Sequence, residues 1–223
     1  MKGLVIALVL LLSTSAFAQT TFDLKNASKF FDIKVKVAEC DDGYCTGKAT
    51  FSFFKKGGSK AYQVIDLENT QIQLLQTGQP LTNISLLYDD QSAVNVGDFN
   101  FDGMEDIAIC DGPNGSYGGP SYRVYLSSHS VGKFVYNKEF SALGEHLGMF
   151  EVDKKRKRLS TLDKSGCCYH IAEEFIVMNN KPLKVRTVEE DATATDDRST
   201  KITTRTFVSG KWKTTVTHGK REE

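Results

Sequence analysis

Hydrophobic and polar residues alternate one by one through much of this chain. Phe31, Ile33, Val35 and Val37 are separated by Asp32, Lys34 and Lys36, a period of two that turns one face of an extended strand to the interior. Ala49, Phe51 and Phe53 repeat the pattern before Gly57-Gly58 closes the segment. Segments 62–67 and 71–75 read as another pair of strands. Tyr122, Val124 and Leu126 alternate with Arg123 and Tyr125. Segments 175–178 and 183–188 flank Asn179-Asn180, a hairpin-turn candidate, and 201–208 and 211–217 flank Ser209-Gly210 in the same way. Helical periodicity is weak, with a turn or two expected at 141–147. The fold class predicted is all-β: short antiparallel hairpins in one domain, arranged as a sandwich, a barrel or propeller-like blades. Residues 191–200 (DATATDDRST) are polar and unpatterned, so a loop is expected there, and residues 219–223 should fray.

The N-terminus changes the compartment. Lys2 precedes an apolar run over residues 4–12, and Ala16-Phe17-Ala18 forms an A-x-A cleavage site before Gln19. The run is short for a bilayer span and ends in small residues, so residues 1–18 are predicted to be a cleaved signal peptide. No cysteine follows the site, which argues against a lipoprotein. Residues 19–223 then form a single β-rich domain in the periplasm. The 28 Lys and Arg balance 28 Asp and Glu, which leaves no electrostatic footprint for nucleic acid. The one basic cluster, residues 154–158 (KKRKR), has no interleaved aromatic and reads as a solvated turn or edge strand.

Five cysteines suit an oxidising compartment. Cys40 and Cys45 flank the turn-rich Asp41-Asp42-Gly43-Tyr44, so a bridge across a hairpin is expected. Cys167 and Cys168 are adjacent, and Cα atoms about 3.8 Å apart lie below the usual disulfide range. The expected second bridge therefore joins Cys110 to one of them and leaves the other unpaired. No second pair has the spacing of a zinc site.

The densest chemistry lies in "GDFNFDGMEDIAIC". Counted from Asp98, oxygen-bearing side chains fall at positions 1, 3, 5 and 9 (Asp98, Asn100, Asp102, Asp106), with Gly103 at 6 and the Met104 carbonyl at 7. Ca²⁺ takes six to eight oxygens at about 2.3–2.6 Å, and glycine at position 6 permits the sharp turn. Phe99 and Phe101 are expected to face the core between the ligands. A plain Asx turn would use one or two acids, whereas three carboxylates at regular spacing call for a counter-charge. Position 12, the bidentate glutamate of an EF-hand, is Ile109 here, so the loop leads into the strand DIAIC.

"GDFNFDGMEDIAI" resembles the calcium loop of FG-GAP and integrin α-type propeller blades. It occurs once, and the chain is too short for seven four-stranded blades. The longer run "GDFNFDGMEDIAICDGPNGSYGGPSYRVYL", with "SGCCYH" downstream, resembles a family of bacterial periplasmic proteins. These are immunity partners of lysozyme-like effectors delivered by type IV secretion, and relatives of the periplasmic inhibitors of i-type lysozymes. The resemblance is strongest over residues 94–178. It implies a propeller-like β-fold, a bound Ca²⁺, and a loop that inserts into the cleft of a peptidoglycan hydrolase.

That loop is "DGPNGSYGGPSY". Four glycines and two prolines in twelve residues exclude a helix and make a poor strand. The cage is expected to hold one end through Asp106, and the strand opening at Tyr122 the other. A loop so fixed loses less ordering entropy on binding. The candidate target-binding residues are Ser116, Tyr117, Ser121 and Tyr122. Tyrosine is a favoured interface anchor, and sugar-cleaving clefts hold carboxylates that its hydroxyl could engage. Tyr122 is equally placed to be the first core residue of its strand, and Tyr117 has less reason to be buried. The Ser-Gly-x-x-Tyr motif of related inhibitor families has no exact copy here.

A catalytic constellation is not found. There is no G-x-S-x-G elbow, and His129, His146, His170 and His218 are scattered. Cys168 and His170 share a strand face without a third group, and the thiol is expected to oxidise. The chain therefore reads as a non-enzymatic inhibitor, the alternative being a secreted calcium-dependent adhesion or scaffold module.

Overall fold

The structure, a computed structural model, describes residues 19–84, 91–193 and 199–220. The predicted signal peptide (residues 1–18), residues 194–198 of the segment expected to be a polar loop, and residues 221–223 lie outside the described residues. The chain is all-β and antiparallel, in three sheets. The first contains β1 (Thr20–Leu24), β2 (Phe31–Asp41), β3 (Tyr44–Lys55), β4 (Ala61–Leu67) and β5 (Gln71–Gln73). The second is β6 (Val94–Gly97), β7 (Asp106–Gly112), β8 (Ser121–Ser128) and β9 (Lys133–Tyr136). A short helix, α1 (Lys138–Leu143), precedes the third sheet. That sheet is a meander of β10 (Glu151–Asp153), β11 (Arg158–Ser165), β12 (Tyr169–Met178), β13 (Lys181–Asp191), β14 (Ser199–Val208) and β15 (Lys211–Lys220). Among the described residues no helix is long and apolar enough to cross a membrane.

Two apolar cores sit on opposite faces of the second sheet, and β7 explains how. Its Ile107 and Ile109 join Val35, Phe51, Phe53 and Phe134 in the core beneath the first sheet. Its Ala108 and Cys110 point the other way, to Val124, Phe140, Phe150, Leu159 and Phe175. A strand buried on both faces reads as the continuous apolar run DIAIC rather than as an alternation. α1 opens on Asn137, whose side chain accepts from the Phe140 amide, a cap that sets its start three residues before the expected 141.

Turn chemistry fixes the hairpins. Asn179 and Asn180 both have positive φ, as do Asp42-Gly43 and Ser209-Gly210, the geometry of two-residue turns that match strand twist. Cys40 faces Cys45 across the β2–β3 hairpin and is bonded to it. Residues 154–157 of the basic cluster form the β10–β11 turn.

Three expectations are corrected. Segments 62–67 and 71–75 do not pair with each other: β4 pairs with the later part of β3 and β5 with its start. Cys110 makes no bridge; it is buried in the second core, while Cys167 and Cys168 sit in the exposed β11–β12 turn and are bonded to each other, Cα atoms 3.7 Å apart. Bonding Cys110 to that rim would require pulling it from the core. Phe101 is only partly buried, with φ of 64°, whereas Phe99 is in the core as expected.

Candidate functional site

The acidic loop lies between β6 and β7 and is folded by its own side chains. Asp98 accepts hydrogen bonds from the amides of Asp102 (3.0 Å) and Gly103 (2.9 Å). Asp102 accepts from the Met104 amide (2.8 Å) and the Asn100 side-chain amide (2.8 Å), and Asn100 Oδ1 accepts from the Asp102 amide (3.2 Å). Gly103, at φ of 89°, makes the sharp turn that a side chain would strain. Asp98, Asn100 and Asp102 thus bring their oxygens to one turn, and each oxygen keeps lone pairs beyond the bond drawn.

Asp106 behaves differently. It is fully buried, one oxygen accepts from the Phe99 amide (2.8 Å) and the Asn100 amide (3.4 Å), and the other from the Ser127 amide (2.8 Å). Burial pushes its carboxyl up to about 7, the amides oppose that, and the Asp102 charge adds to it. It therefore ties the loop base to β8. Among the described residues, no three of His, Cys, Asp and Glu converge as a ready metal cluster. The oxygen set of Asp98, Asn100, Asp102 and the Met104 carbonyl nevertheless has the chemistry a hard cation takes. Asn100 also reaches Asn180 Oδ1 (3.0 Å), so the loop abuts the β12–β13 turn.

The glycine-rich loop is at the other end of β7, six residues on, roughly 20 Å at the rise of a strand. The expectation that the cage holds it directly is therefore corrected. Its anchors come from the third sheet and the α1–β10 connection. Ser116 Oγ donates to Asp163 Oδ1 (2.5 Å), and the other Asp163 oxygen pairs with His146 Nδ1. The Ser116 amide donates to the carbonyls of Glu145 and His146. Gly115 has no room for a side chain, since a Cβ would lie 2.7 Å from the Pro120 carbonyl and 2.8 Å from that of His146.

Tyr117 caps this frame. It is 65% exposed, at φ of 58°, a left-handed conformation that non-glycine residues seldom adopt. The Gly166 amide donates to its hydroxyl oxygen at 2.5 Å, and Lys164 Nζ lies 5.1 Å from its ring centroid. Beside it is a cleft of about 240 Å³ bordered by Gln91, Pro120, Leu147 and Lys164. Ser121 and Tyr122, expected on the binding surface, are interior. Ser121 is buried, and Tyr122 is 1% exposed and donates to the Ser92 carbonyl (3.0 Å). The alternation of β8 turns Tyr122 into the second core with Val124 and Leu126.

Asp163, His146, Lys164 and Gly166 were not singled out as partners of this loop from the sequence. They lie 30 to 49 positions from their loop partners, and no spacing rule reaches that far. Ser116, Asp163 and His146 meet with the carboxylate in the middle. The imidazole is thus bonded to the acid rather than to the serine hydroxyl, which is not the order a general base needs.

No family model matches the sequence, and no curated protein matches it. Among solved structures, the fold is similar to that of a Xanthomonas type IV secretion system related protein, with a TM-score of 0.68 and 21% identity, covering 90% of this chain and 94% of that one. At that identity the likeness is one of fold.

Proposed function

We propose that this protein is a periplasmic, calcium-stabilised inhibitor, an immunity protein that blocks a lysozyme-like peptidoglycan hydrolase by inserting Tyr117 into its cleft. The observation that carries the reading is the presentation of Tyr117: exposed, in a left-handed backbone conformation, and fixed from three sides by Ser116–Asp163, Gly166 and Lys164. A large aromatic held this way gives up little entropy when a partner closes on it. Its hydroxyl oxygen already accepts from Gly166, so its proton remains to be donated to an acceptor. The two carboxylates of a glycosidase cleft are such acceptors, and the Lys164 ammonium beside the ring suits the same charge. The fold likeness to a type IV secretion system related protein supports that setting.

In this reading Ca²⁺ is held by Asp98, Asn100, Asp102 and the Met104 carbonyl, with Asp106 at the loop base. The ion would neutralise adjacent carboxylates and stiffen the β6–β7 end of the fold. The role is stoichiometric blockade rather than turnover. The test is a panel of peptidoglycan hydrolases, including any encoded beside this gene, assayed for lysis with purified protein. Inhibition of a lysozyme-type member is expected; if none is inhibited, the adhesion or scaffold reading replaces this one.

A further inference from the structure

The third sheet outruns both cores. Among the described residues neither apolar cluster includes a side chain from β13, β14 or β15. β15 closes the meander, and its ten residues pair with β14 in unbroken register from Ser199↔Lys220 to Val208↔Lys211. Residues 211–218 are all exposed. No strand among the described residues pairs with the other edge of β15, so a long row of backbone donors and acceptors faces outward there. Such an edge is a template for a further strand.

Its side chains specify which strand. Residues 199–219 include Lys201, Arg205, Lys211 and Lys213, and no acid. Arg205 pairs with Glu189, whereas Lys211 and Lys213 have no ion pair among the described residues. Alternation puts Lys211 and Lys213 on one face of β15 with Thr215 and Thr217, and Trp212 on the other with Thr214 and Val216. Trp212 lies 5.4 Å from Phe207, its cross-strand partner. The two are 47% and 43% exposed, an aromatic pair with no core under it. A second copy of the chain would bring its own lysines onto the shared face, and edge lysines oppose such self-pairing.

We propose that β15 accepts an extended acidic segment of another protein as a seventh strand. Backbone pairing would supply the affinity, and side chains of the added strand the selectivity. The pattern required is alternating: Asp or Glu beside Lys211 and Lys213, apolar residues beside Trp212 and Val216. The turn of the β14–β15 hairpin lies at the same end of the sheet as the Asn179-Asn180 turn, opposite the β11–β12 turn that holds Tyr117. The proposal therefore stands apart from the inhibitor reading.

Trp212 is the chain's one tryptophan, so its emission reports this edge. The probe is the capped peptide Thr-Glu-Val-Glu-Val-Glu-Thr, titrated into the intact protein. The expected result is a saturable blue shift, weakened about tenfold or more in the Lys211→Glu, Lys213→Glu double variant. That variant should gain binding to the peptide with Lys in place of Glu. The acidic peptide N-methylated at alternate amides should not bind, because strand pairing needs those donors. Equal binding of the methylated peptide would overturn the proposal in favour of plain charge attraction. So would a shift with phosphatidylglycerol vesicles but not with peptide, or no saturable shift with peptide. Neither lysine is packed, so an unchanged melting temperature confirms that the variant is folded.

Discussion

The amide of Gly166 donates a 2.5 Å hydrogen bond to the hydroxyl of Tyr117, 49 positions away. This bond, with the Ser116–Asp163 contact next to it, joins the loop after β7 to β11 and to the turn that follows it. Tyr117 is thus held by tertiary structure while most of its ring faces solvent. In the inhibitor proposal, this exposed side chain fixed at its tip is the group that meets the hydrolase cleft.

Tyr117→Ala should therefore abolish hydrolase inhibition while leaving the melting temperature nearly unchanged. A central tyrosine anchor is worth about 2–4 kcal/mol on truncation, roughly 30- to 1,000-fold in affinity. Tyr117→Phe separates ring from hydroxyl: it should keep part of the affinity and lose the share due to the donated proton. Inhibition constants alongside thermal melts decide this. If Tyr117→Ala inhibits as well as the wild type, the binding face lies elsewhere.

The acidic loop makes a second, separable prediction. Asp102→Ala should lose the calcium-dependent rise in melting temperature, a rise equivalent to about 2.7 kcal/mol when calcium is a hundredfold above Kd. Asp106→Ala should be destabilised in EGTA as well, by about 3 kcal/mol, because it leaves the buried Phe99 amide and the half-buried Ser127 amide without an acceptor. A wild-type melting temperature unmoved by EGTA would sink the metal reading. It would leave the Asp106 prediction standing.

Much of the fold was legible because it is encoded locally. Period-two alternation located β2, β3 and β8, and the paired residues Asn179-Asn180 and Ser209-Gly210 named the turns of the β12–β13 and β14–β15 hairpins, since both positions of each take positive φ; β10 and β11 were not read from the pattern. Cys40–Cys45 was legible for the same reason, being closed by a single turn. What failed was long-range. Pairing of β5 with β3 rather than β4 depends on which edge segment of β3 is vacant, and alternation carries no trace of that. At the candidate site, Tyr117 could be picked by its glycine neighbours, but its anchors Asp163, Lys164 and Gly166 arrive from another sheet. The acidic loop and the glycine loop are near in sequence yet at opposite ends of β7, because a seven-residue strand separates them.

Thiol accessibility gives a third test. Cys110 is buried and its thiol is pushed up to about 11, chiefly by burial, so at pH 8 about one molecule in a thousand carries the reactive thiolate. Iodoacetamide should leave the native protein unlabelled. Unfolding without reductant should label one cysteine, Cys110, and reduction all five. Mass mapping should find Cys167 and Cys168 in one fragment lighter by two hydrogens than its reduced form. A fragment joining Cys110 to either of them would contradict the structure.

Tyr122 is the counterpart of Tyr117 and should respond in the opposite way. Its side chain is 1% exposed, packs in the second core, and donates to the Ser92 carbonyl at 3.0 Å. Tyr122→Ala removes a large aromatic from a close-packed interior, a change that costs about 3–5 kcal/mol. Gly144 cannot shift to fill the gap by gaining a side chain, since a Cβ there would already lie 2.9 Å from the Tyr122 carbonyl. Tyr122→Phe keeps the ring and leaves the Ser92 carbonyl without its donor, so its cost should be about 1–3 kcal/mol. For both variants, inhibition per folded molecule should match the wild type, measured below each variant's melting temperature. Weakened inhibition by Tyr122→Phe with an unchanged melting temperature would mean that this hydroxyl reaches the target, and the division of labour between the two tyrosines would have to be reversed.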